Sequence, residues 1–508
     1  MRVKSNKARR PSLCPSTTNC VAAAVAGVLY SATGTLHAQQ AAQPVAEVGP
    51  AGGESLQEVV VTANAAQGVR KLDASYNIVA VDAEQIKQSN PKSTADIIKV
   101  SPGIWPESSG GQTGANIEVA GFPSGGDSPF FTNMIEGSPL YGMPNLSFMD
   151  SSSLFRLDDT TERVEVVQGG PGAVFGPGQM GATANFILRR GTPDPHGSLS
   201  VTYGDEGLVR VDGFYGFKVV DGWYASAGGF YRNSRGVRDP QFPADNGGQF
   251  TMTLSHDLDE GSLMFWARGL SDKNQFIVPV PLVQKGNGSY SSYPGFDALT
   301  GTYGSHNIQN VTVPNPAGGF EGADLANGRG GQLYYFGSTY NQKLAGGWSI
   351  ANNFLFDGGK LNTNALFAGP NPRPLSYYLY GCQVPQPAGY CNGATATDTN
   401  NLGTNGQGLP PGLNVNATYA GSGLPVNANQ SVIQQGWWYI QKTLQNISDE
   451  FRVSKEIFSG NTLTAGIYLA RYSDDDNWSL GNQMLMANMS NTTAITLNYV
   501  SGGHTYNL

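Results

Sequence analysis

The chain has 508 residues, with 13% charged residues, 10% aromatic residues and 67 glycines. Soluble globular domains carry about 25% charged residues. The composition therefore argues against a soluble enzyme and favours a large β structure that faces a membrane or carbohydrate. The formal net charge is −8, which excludes a nucleic-acid partner because such a partner requires a basic surface.

Residues 1–38 have the layout of a secretory signal peptide. An apolar core at 21–36 separates a basic start from the cleavage sequence Leu36-His37-Ala38. The five basic residues of that start are Arg2, Lys4, Lys7, Arg9 and Arg10. Removing them leaves 25 of the 30 Lys and Arg residues against 38 Asp and Glu, a mature net charge of −13. Beyond this leader no run reaches about 18 uninterrupted apolar residues, the length of a spanning helix, and a closed β-barrel is the other architecture that crosses a bilayer.

A β-prone run follows a flexible leader. Residues 39–55 are rich in Gly, Ala and Pro and are predicted to be flexible. The run after them consists of Leu56, Gln57, Glu58, Val59, Val60, Val61, Thr62 and Ala63. An isolated β-prone segment behind a flexible leader is suited to add as an edge strand to a partner's sheet. The alternative interpretation is an ordinary first strand of the domain that follows.

The next part of the chain predicts a small α+β domain. A short strand at 78–81 leads into a helix capped by Asp82, and a second helix begins at Thr94 and stops before Pro102. Later, Arg163 to Val167 alternates charged and apolar residues, a glycine cluster follows, and a second apolar strand runs from Ala184 to Leu188. Glycines allow such a backbone to turn sharply and pack tightly.

These segments resemble the plug domain of TonB-dependent outer-membrane receptors. The family's E-R-[IV]-E-V-x-[RQ]-G segment, aromatic–glycine pair and final strand correspond to Glu162, Arg163, Val164, Glu165, Val166, Gly169, Phe175, Gly176 and Asn185. A "PGI" turn stands at 102–104 and a "DGVPL"-like segment at 135–140. The family's "IRGF" strand is here 119–122, with Ala120 in place of arginine, and Gln168 stands where the family often has arginine.

The resemblance implies a domain organisation and two binding regions. Residues 64–192 would form the plug and 56–63 the TonB box, which pairs with a TonB-type periplasmic energy transducer. Outward plug loops at 105–114 and 122–131 would meet the ligand. The aromatic residues there are Trp105, Phe122, Phe130 and Phe131, with Tyr141 nearby. Such rings can stack on sugars or on a siderophore; the alternative for each is packing against a barrel wall.

From residue 193 onward the pattern is that of alternating strands. Val209, Val211 and Tyr215 fall on one face, with Arg210 and Asp212 on the other. The other strand candidates are 223–231, 249–255, 262–270, 332–340, 348–356, 447–453 and 463–471, with tryptophans at 223, 266, 348, 437 and 438 in or beside them. Period-two segments near 10 residues with aromatic girdles are typical of a transmembrane antiparallel β-barrel; a soluble β-sandwich is the alternative. We find eight or nine strands, against the 22 of plugged outer-membrane transporters, so 193–508 is expected to carry only part of such a barrel.

Two long connections, 271–331 and 358–435, are rich in Gly, Asn, Pro and Tyr and are predicted to be external loops. The second contains Cys382 and Cys391, the only cysteines outside the signal peptide. Two nearby cysteines in an exported chain predict one disulfide that staples a loop.

No motif predicts catalysis, a metal site or a cofactor. Residues 176–181 match G-x-G-x-x-G, but an apolar strand follows instead of a helix, so tight turns explain the glycines better than a dinucleotide does. The five histidines are scattered and show no zinc-ligand spacing, and no G-x-S-x-G nucleophile motif occurs. We expect Asp158 and Asp159 to cap or solvate a turn. The acidic run 474–476 is expected to face water in a loop, with a weak Ca²⁺ site as the alternative.

The sequence thus predicts a monomeric, multi-pass β-barrel of the outer membrane, in contact with its lipid. Its function would be TonB-dependent uptake of a large scarce nutrient, either a ferric siderophore or an oligosaccharide. A passive porin or a surface-adhesion β protein is the alternative from another class, and an exported β-rich hydrolase is a third.

Overall fold

The structure is a computed structural model of the chain. It describes residues 60–61, 69–70, 77–91, 93–108, 110–113, 115–122, 130–140, 151–169, 180–315, 317–367, 369–380, 415–501 and 504–507. None of the helices in those ranges is both long enough and apolar enough to span a membrane.

The N-terminal domain, residues 77–190, is built on a mixed sheet beside two short helices. Two-residue strands β1 (Val60–Val61) and β2 (Val69–Arg70) pair ahead of it. Its elements are β3 (Ile78–Asp82), α1 (Ala83–Ser89), α2 (Thr94–Ile98), β4 (Ile104–Glu107), β5 (Asn116–Val119), β6 (Phe131–Ile135), β7 (Ser138–Pro139), β8 (Thr161–Gln168) and β9 (Ala182–Leu188). Five strands form one sheet in the order β3-β8-β9-β6-β7, in which only β6 and β9 are parallel. The predicted order of strand, helix, helix and extended segment is confirmed.

Local sequence explains why the two helices start where they do. The Asp82 carboxylate accepts from the Gln85 backbone N–H (2.8 Å), and the Gln85 side chain accepts from the Asp82 N–H (3.2 Å). This reciprocal pair is a capping box, which satisfies two N–H groups that a helix start leaves free. The Ser93 hydroxyl caps α2 through the Asp96 N–H. This helix ends ahead of Pro102 because a proline disfavours helical backbone in the residue before it.

The hairpin of β4 and β5 ends in an unusual backbone conformation at Ala120. This residue has φ +47°, and Gly121 after it has φ +81°. The Ala120 N–H donates to the Gly103 carbonyl oxygen (2.7 Å), which holds the turn in place. A left-handed conformation crowds the Cβ of an L-residue, so Ala120 stores strain where the resembled motif has arginine.

Ala120→Gly should therefore stabilise the N-terminal domain by about 1 kcal/mol, because glycine enters this region without strain. Native-state hydrogen exchange of the 103–122 amides measures the change. Ala95→Gly is the matched control: Ala95 is buried inside α2, where the same replacement should destabilise by about 1 kcal/mol. Equal signs for the two variants would show that the strain at Ala120 is absent.

The second part is one large antiparallel sheet, called the wall. Its nine long strands pair in sequence order. They are β10 (His196–Gly204), β11 (Leu208–Val220), β12 (Trp223–Ser234), β13 (Asp245–Leu258), β14 (Gly261–Asn274), β19 (Arg329–Leu344), β20 (Trp348–Phe367), β23 (Ser431–Phe458) and β24 (Asn461–Ala487). Among the described residues β10 pairs only with β11 and β24 only with β23, so the barrel is not closed, as the partial-barrel prediction requires.

The two ends of the wall differ. At the short-turn end, strands are joined by tight turns at 221–222, 259–260, 345–347 and 459–460. At the long-connection end β10 and β11 are joined by the short turn 205–207, but the longer joining segments, and the chain that follows β24, include structure of their own. Their elements are β15 (Leu282–Gln284), β16 (Tyr290–Ser292), β17 (Asn310–Pro314), β18 (Phe320–Asp324), β21 (Arg373–Pro374), α3 (Leu375–Tyr380), β22 (Val415–Tyr419), β25 (Ile495–Ser501) and β26 (His504–Asn507).

The long connections pack on the wall strands at the long-connection end and form a separate hydrophobic core there. Trp437 is fully buried in this core, together with Tyr303, Phe296, Ile308 and Met486. The predicted external loops are thus compact in their described parts. This packing also explains why the sequence predicts β23 too short. The strand begins at residue 431, but residues 432–437 are buried on both faces, so the period-two pattern is absent there.

The predicted alternation of outward apolar and inward buried residues is confirmed on the wall strands β11 and β13. On β11, Val209, Tyr215 and Phe217 are exposed on the outward face, whereas Asp212 and Phe214 are buried on the inward face. On β13, Met252 and Leu254 are exposed while 249, 251, 253 and 255 are buried. The wall therefore has an apolar outward face and an inward face that the N-terminal domain partly covers.

The prediction that tryptophans form an exposed girdle is confirmed at Trp348 but is wrong at Trp266 and Trp437. Trp348 is 47% exposed at the short-turn end of β20. Trp266 and Trp437, in contrast, are buried, because the first faces the N-terminal domain and the second lies in the core of the long connections.

Candidate functional site: the junction between the N-terminal domain and the wall

Residues 151–161 run along the inner face of the wall and carry most of the junction. The Phe155 ring is fully buried and stacks on Phe186 of β9, with ring centroids 4.1 Å apart. The wall contributes the Arg268 guanidinium, 4.6 Å from the same ring, and the Tyr335 hydroxyl, which donates to the Leu154 carbonyl oxygen. The segment is therefore held between the domain's own core and the wall strands β14 and β19.

An ion cluster joins the domain to the wall at the centre of this segment. Arg156 Nε donates to Asp272 Oδ2 of β14 (2.7 Å). Arg232 of β12 donates to both oxygens of the same carboxylate, at 2.9 and 2.7 Å. The exposed fractions of the three side chains are 7% for Arg156, 2% for Arg232 and 0% for Asp272. One buried carboxylate thus serves one arginine of the domain and one of the wall.

The two arginines are bound unequally. Arg232 has the two-pronged geometry that is the stronger form of an arginine–carboxylate pair. Arg156 has a single bond to Asp272 and directs Nη1 at the backbone oxygens of Ser152 and Ser153, each at 3.1 Å. If the domain withdrew, Asp272 would keep its stronger partner, so the wall would not be left with an unpaired buried charge.

A second polar contact surrounds Asp158. Its carboxylate accepts from the Thr160 N–H (2.9 Å) and from Gln249 Nε2 of β13 (2.7 Å). Gln249 Nε2 also donates to the Arg156 carbonyl oxygen (2.9 Å), and Arg268 donates to the Thr160 hydroxyl (3.1 Å). The prediction that Asp158 caps or solvates a turn is confirmed in its first form, since its carboxylate caps the turn at Thr160, and the wall buries it.

The exit of the chain from the domain is also packed on the wall. The Arg189 carbonyl oxygen accepts from the Ser226 hydroxyl (2.9 Å), and its guanidinium lies 4.0 Å from the centre of the Phe214 ring. Wall glycines allow this close approach. A Cβ on Gly228 would lie 2.5 Å from the Gly213 carbonyl oxygen and 2.9 Å from Thr160 Cγ2.

Gly228→Val should accordingly loosen the junction, because overpacking a filled interface costs roughly 1–3 kcal/mol. We expect a lower midpoint of thermal unfolding in detergent and faster proteolysis within 151–161. Gly269→Ala is the matched control, since a Cβ at Gly269 meets no atom within 4 Å. A Gly228 variant as stable as the control would mean that Thr160 does not touch the wall.

The "DGVPL"-like turn is tied to the end of β9 by Glu136. Its carboxylate accepts from the Leu188 N–H (2.7 Å) and from Arg190 (3.2 Å), and its own N–H donates to the Phe186 carbonyl oxygen (3.1 Å). Burial raises the pKa of Glu136, while Arg190 acts in the opposite direction. Next to it, Gly137 approaches the wall at Asn353 of β20, so this turn fixes a second side of the domain.

The aromatic residues predicted to meet a ligand are not gathered into one site. Trp105 is 65% exposed on β4, and Phe131 is buried in β6. Phe122 and Phe130 do lie together, with ring centroids 4.8 Å apart. Tyr141 lies outside the described residues.

The loop between β4 and β5 is the part of the domain that reaches the long-connection end. The Gly110 carbonyl oxygen accepts from the Ile277 N–H (3.1 Å), and the Thr113 hydroxyl donates to Asn274 Oδ1 (2.6 Å). Phe122 lies just beyond the opposite end of that hairpin. The described part of the predicted loop 105–114 therefore reaches the long-connection end, whereas Phe122 lies at the other end of the same hairpin.

Several other predicted residues can be placed only in part. Of the run 56–63, the described residues are Val60 and Val61, which form β1. Residues 1–38, the leader 39–55, Cys382 and Cys391 lie outside the described part of the chain. Of the glycine-rich segment 176–181, only 180 and 181 are described. A Cβ on Gly181 would lie 2.4 Å from the Phe130 carbonyl oxygen, which fits the tight-turn interpretation.

The acidic run 474–476 was expected in a loop, and this is wrong because it lies within β24. Lys442 of the neighbouring β23 binds Asp474 (3.2 Å) and Asp476 (2.6 Å), and Trp478 Nε1 donates to Asp476 (3.0 Å). Ion pairs with the buried Lys442 therefore explain why the Asp474 and Asp476 carboxylates lie within a wall strand. Among the described residues no group of three or more His, Cys, Asp or Glu side chains could hold a metal ion.

The ion cluster is the feature that the sequence did not reveal. Arg232 and Asp272 lie one and two residues beyond the predicted strand ends at 231 and 270. Continuing the inward period of each strand would have placed both charges on the face that meets the N-terminal domain. Arg156 had no such signal, because it lies in an irregular segment.

The comparisons with known proteins agree on the fold. The family model of the TonB-dependent receptor plug domain matches residues 70–183. Among solved structures, Pseudomonas aeruginosa FpvA bound to heterologous pyoverdines is 13% identical, with 89% of this chain and 57% of that chain covered and a TM-score of 0.51. The alcaligin outer-membrane receptor FauA of Bordetella pertussis is 11% identical, covers 87% and 63%, and has a TM-score of 0.43. The chain thus spans about three-fifths of the length of these receptors. A comparison with curated protein sequences finds no match.

Proposed function

We propose that this chain is a TonB-dependent receptor that takes up a ferric siderophore across the outer membrane, because the plug-domain model of that family matches residues 70–183. The observation that carries the proposal is the N-terminal domain seated on the inner face of the wall through the Arg156–Asp272 contact. FpvA, which shares the fold at a TM-score of 0.51, is described as binding ferric pyoverdine. An oligosaccharide remains the alternative ligand.

The proposed organisation follows the chain order. Residues 1–38 are a signal peptide, 39–55 a flexible leader, 56–63 the TonB box, 64–192 the plug, and 193–508 part of the barrel. The disulfide between Cys382 and Cys391 belongs to an external loop. The protein acts as a monomer in the outer membrane.

The outward face of the wall supports a position in lipid. On β23 the exposed apolar residues run from Phe458 to Ile447, with Ile457 and Phe451 between them. These eleven steps extend about 36 Å along the strand, and a barrel tilt of about 40° reduces the height to about 28 Å, close to the usual outward apolar band of about 25 Å. Periplasmic turns of such barrels are short, so the short-turn end faces the periplasm and the long connections face outward.

Transport in this scheme requires the plug to leave part of its seat. Ligand binds at the long-connection end, above the loop that contains Gly110 and Thr113. A TonB-type transducer adds a strand at the TonB box, and force breaks the contacts at 151–161. Arg156 then leaves Asp272, which keeps its bond to Arg232, so the wall stays neutralised. The aromatic residues Trp105, Phe122, Phe130, Phe131 and Tyr141 remain candidates for ligand contact.

Uptake in living cells tests the proposal. A strain that lacks the chain, and the same strain with the gene restored, would receive radioiron-labelled ferric pyoverdine under iron limitation or maltodextrin under carbon limitation. We expect only the restored strain to accumulate iron, with equal growth on the sugar. Equal iron uptake in both strains, together with better sugar growth on restoration, would favour the oligosaccharide alternative.

A further inference from the structure

The outward face of the wall contains a groove that the transport scheme does not use. It has a volume of about 660 Å³ and runs over β11 to β20, within the range of about 300–1,000 Å³ that holds small organic ligands. No charged residue lines it. A closed wall of strands is convex on its outside, so a groove here requires an explanation from the residues that form it.

Small and large outward side chains alternate across the groove, with Met252 of β13 between Ala227 and Ala267 in one row. Ala225 and Ala227 of β12 and Ala267 of β14 point outward in neighbouring rows. Phe265, Phe336 and Met252 stand beside them and are between 46% and 52% exposed. The depression is therefore set by the sequence of the wall, and its surface is hydrocarbon in character.

A polar pair closes the end of the groove nearest the short turns. Trp223 and His256 are the next outward pair of β12 and β13, and their rings stack with centroids 4.4 Å apart and planes 16° from parallel. His256 Nδ1 lies 2.8 Å from the Gly222 carbonyl oxygen. A carbonyl can only accept, so Nδ1 carries the proton and donates to Gly222, and in the neutral ring Nε2 is then a free acceptor. The Trp223 indole N–H is the donor at this end.

We propose that the groove binds one aminophospholipid of the periplasmic leaflet, with an acyl chain over Ala225, Ala227 and Ala267, the phosphate at the Trp223 indole N–H and the head-group ammonium at His256 Nε2. The inference rests on the proposed function, because it requires this face to lie in the bilayer with the short turns at the periplasm. Its support is the match between an uncharged groove of hydrocarbon character and a polar end that offers hydrogen-bonding nitrogens at the level where tryptophan meets lipid head groups.

Fluorescence quenching by brominated lipid tests the proposal on the full chain. The protein is reconstituted in vesicles of dioleoylphosphatidylcholine that contain increasing fractions of dibromostearoyl-phosphatidylethanolamine. The signal from Trp223 is the difference between each chain and its Trp223→Phe counterpart. For the unmodified chain we expect quenching of Trp223 that rises steeply and saturates at a low fraction of brominated lipid, since a bound lipid exchanges into one site.

Filling the groove with a larger side chain should remove the saturable part of the Trp223 quenching. Ala227→Phe is expected to leave only quenching proportional to the brominated fraction, and Ala267→Leu, a milder change, to shift saturation to higher fractions. Ala465→Phe is the matched control because Ala465 is exposed on β24 and lies outside the groove; it should behave like the unmodified chain.

Three results would overturn the proposal. Proportional quenching in the unmodified chain would mean that no lipid is held, and unchanged saturation in Ala227→Phe would place the lipid elsewhere. A cross-linked dimer that Ala227→Phe abolishes would assign the groove to a second copy of the chain. Absence of quenching in every variant would be different, because it would place the wall outside the lipid and contradict the proposed function itself.

Discussion

Deleting residues Leu56–Ala63 should abolish uptake of the ferric siderophore while its binding to intact cells stays unchanged. The reason is that the proposed scheme assigns the two steps to different parts of the chain. Binding is assigned to the long-connection end, where Gly110 and Thr113 contact the wall. In the same scheme the deleted run supplies the strand that the transducer's sheet extends, and strand addition depends on main-chain hydrogen bonds that the deletion removes.

The measurement pairs equilibrium binding at low temperature with energised uptake at growth temperature, using the same labelled complex. Deletion of eight residues from the leader, 45–52, is the matched control, because it shortens the chain equally and spares the β-prone run. We expect the control to retain uptake. Full uptake by the 56–63 deletion would remove energy coupling from the scheme and leave the passive porin as the better description.

Asp272→Ala should give the second large effect, a marked loosening of the plug. The replacement leaves Arg156 and Arg232 buried without their shared carboxylate, and breaking a buried ion pair costs about 3–5 kcal/mol. We expect a lower unfolding midpoint and rapid proteolysis at 151–161. Asp221→Ala is the control: Asp221 pairs with Lys218 but is 98% exposed, and exposed pairs contribute little.

The geometry further predicts an order among three variants. Arg156→Met should be milder than Asp272→Ala, because Asp272 keeps both bonds to Arg232. Arg232→Met should lie between them, since it leaves Asp272 with only the single bond to Arg156. A double-mutant cycle between 156 and 272 isolates the pairwise contribution. Equal losses for Arg156→Met and Arg232→Met would contradict the unequal sharing that the distances indicate.

The features that could be predicted from the sequence are those that depend on residues close together in the chain. The cap at Asp82, the helix from Thr94 and the alternation on β11 and β13 depend on neighbours within a few residues, and each is confirmed. The plug resemblance was readable for the same reason, because its motifs are turns and strand ends whose backbone geometry demands particular residues.

Contacts between distant parts of the chain were out of reach. Arg156 and Asp272 are 116 residues apart and Arg232 and Asp272 are 40 apart, so no local period connects them. The period-two pattern is also lost where both faces of a strand are buried, as at residues 432–437 of β23. The acidic run in β24 looked like a loop because its partner, Lys442, lies 32 residues away from Asp474 in sequence.

Nitroxide scanning along residues 249–256 of β13, with the full chain in vesicles, tests the central claim most directly. That claim is a plug seated inside a wall of strands whose other face meets lipid. The account predicts that labels at 250, 252 and 254 collide with oxygen dissolved in the bilayer, whereas those at 249, 251 and 253 are shielded from both oxygen and a water-soluble nickel chelate by the N-terminal domain. Ready access of the nickel chelate to both sets of positions would contradict it, because β13 would then border water on each face.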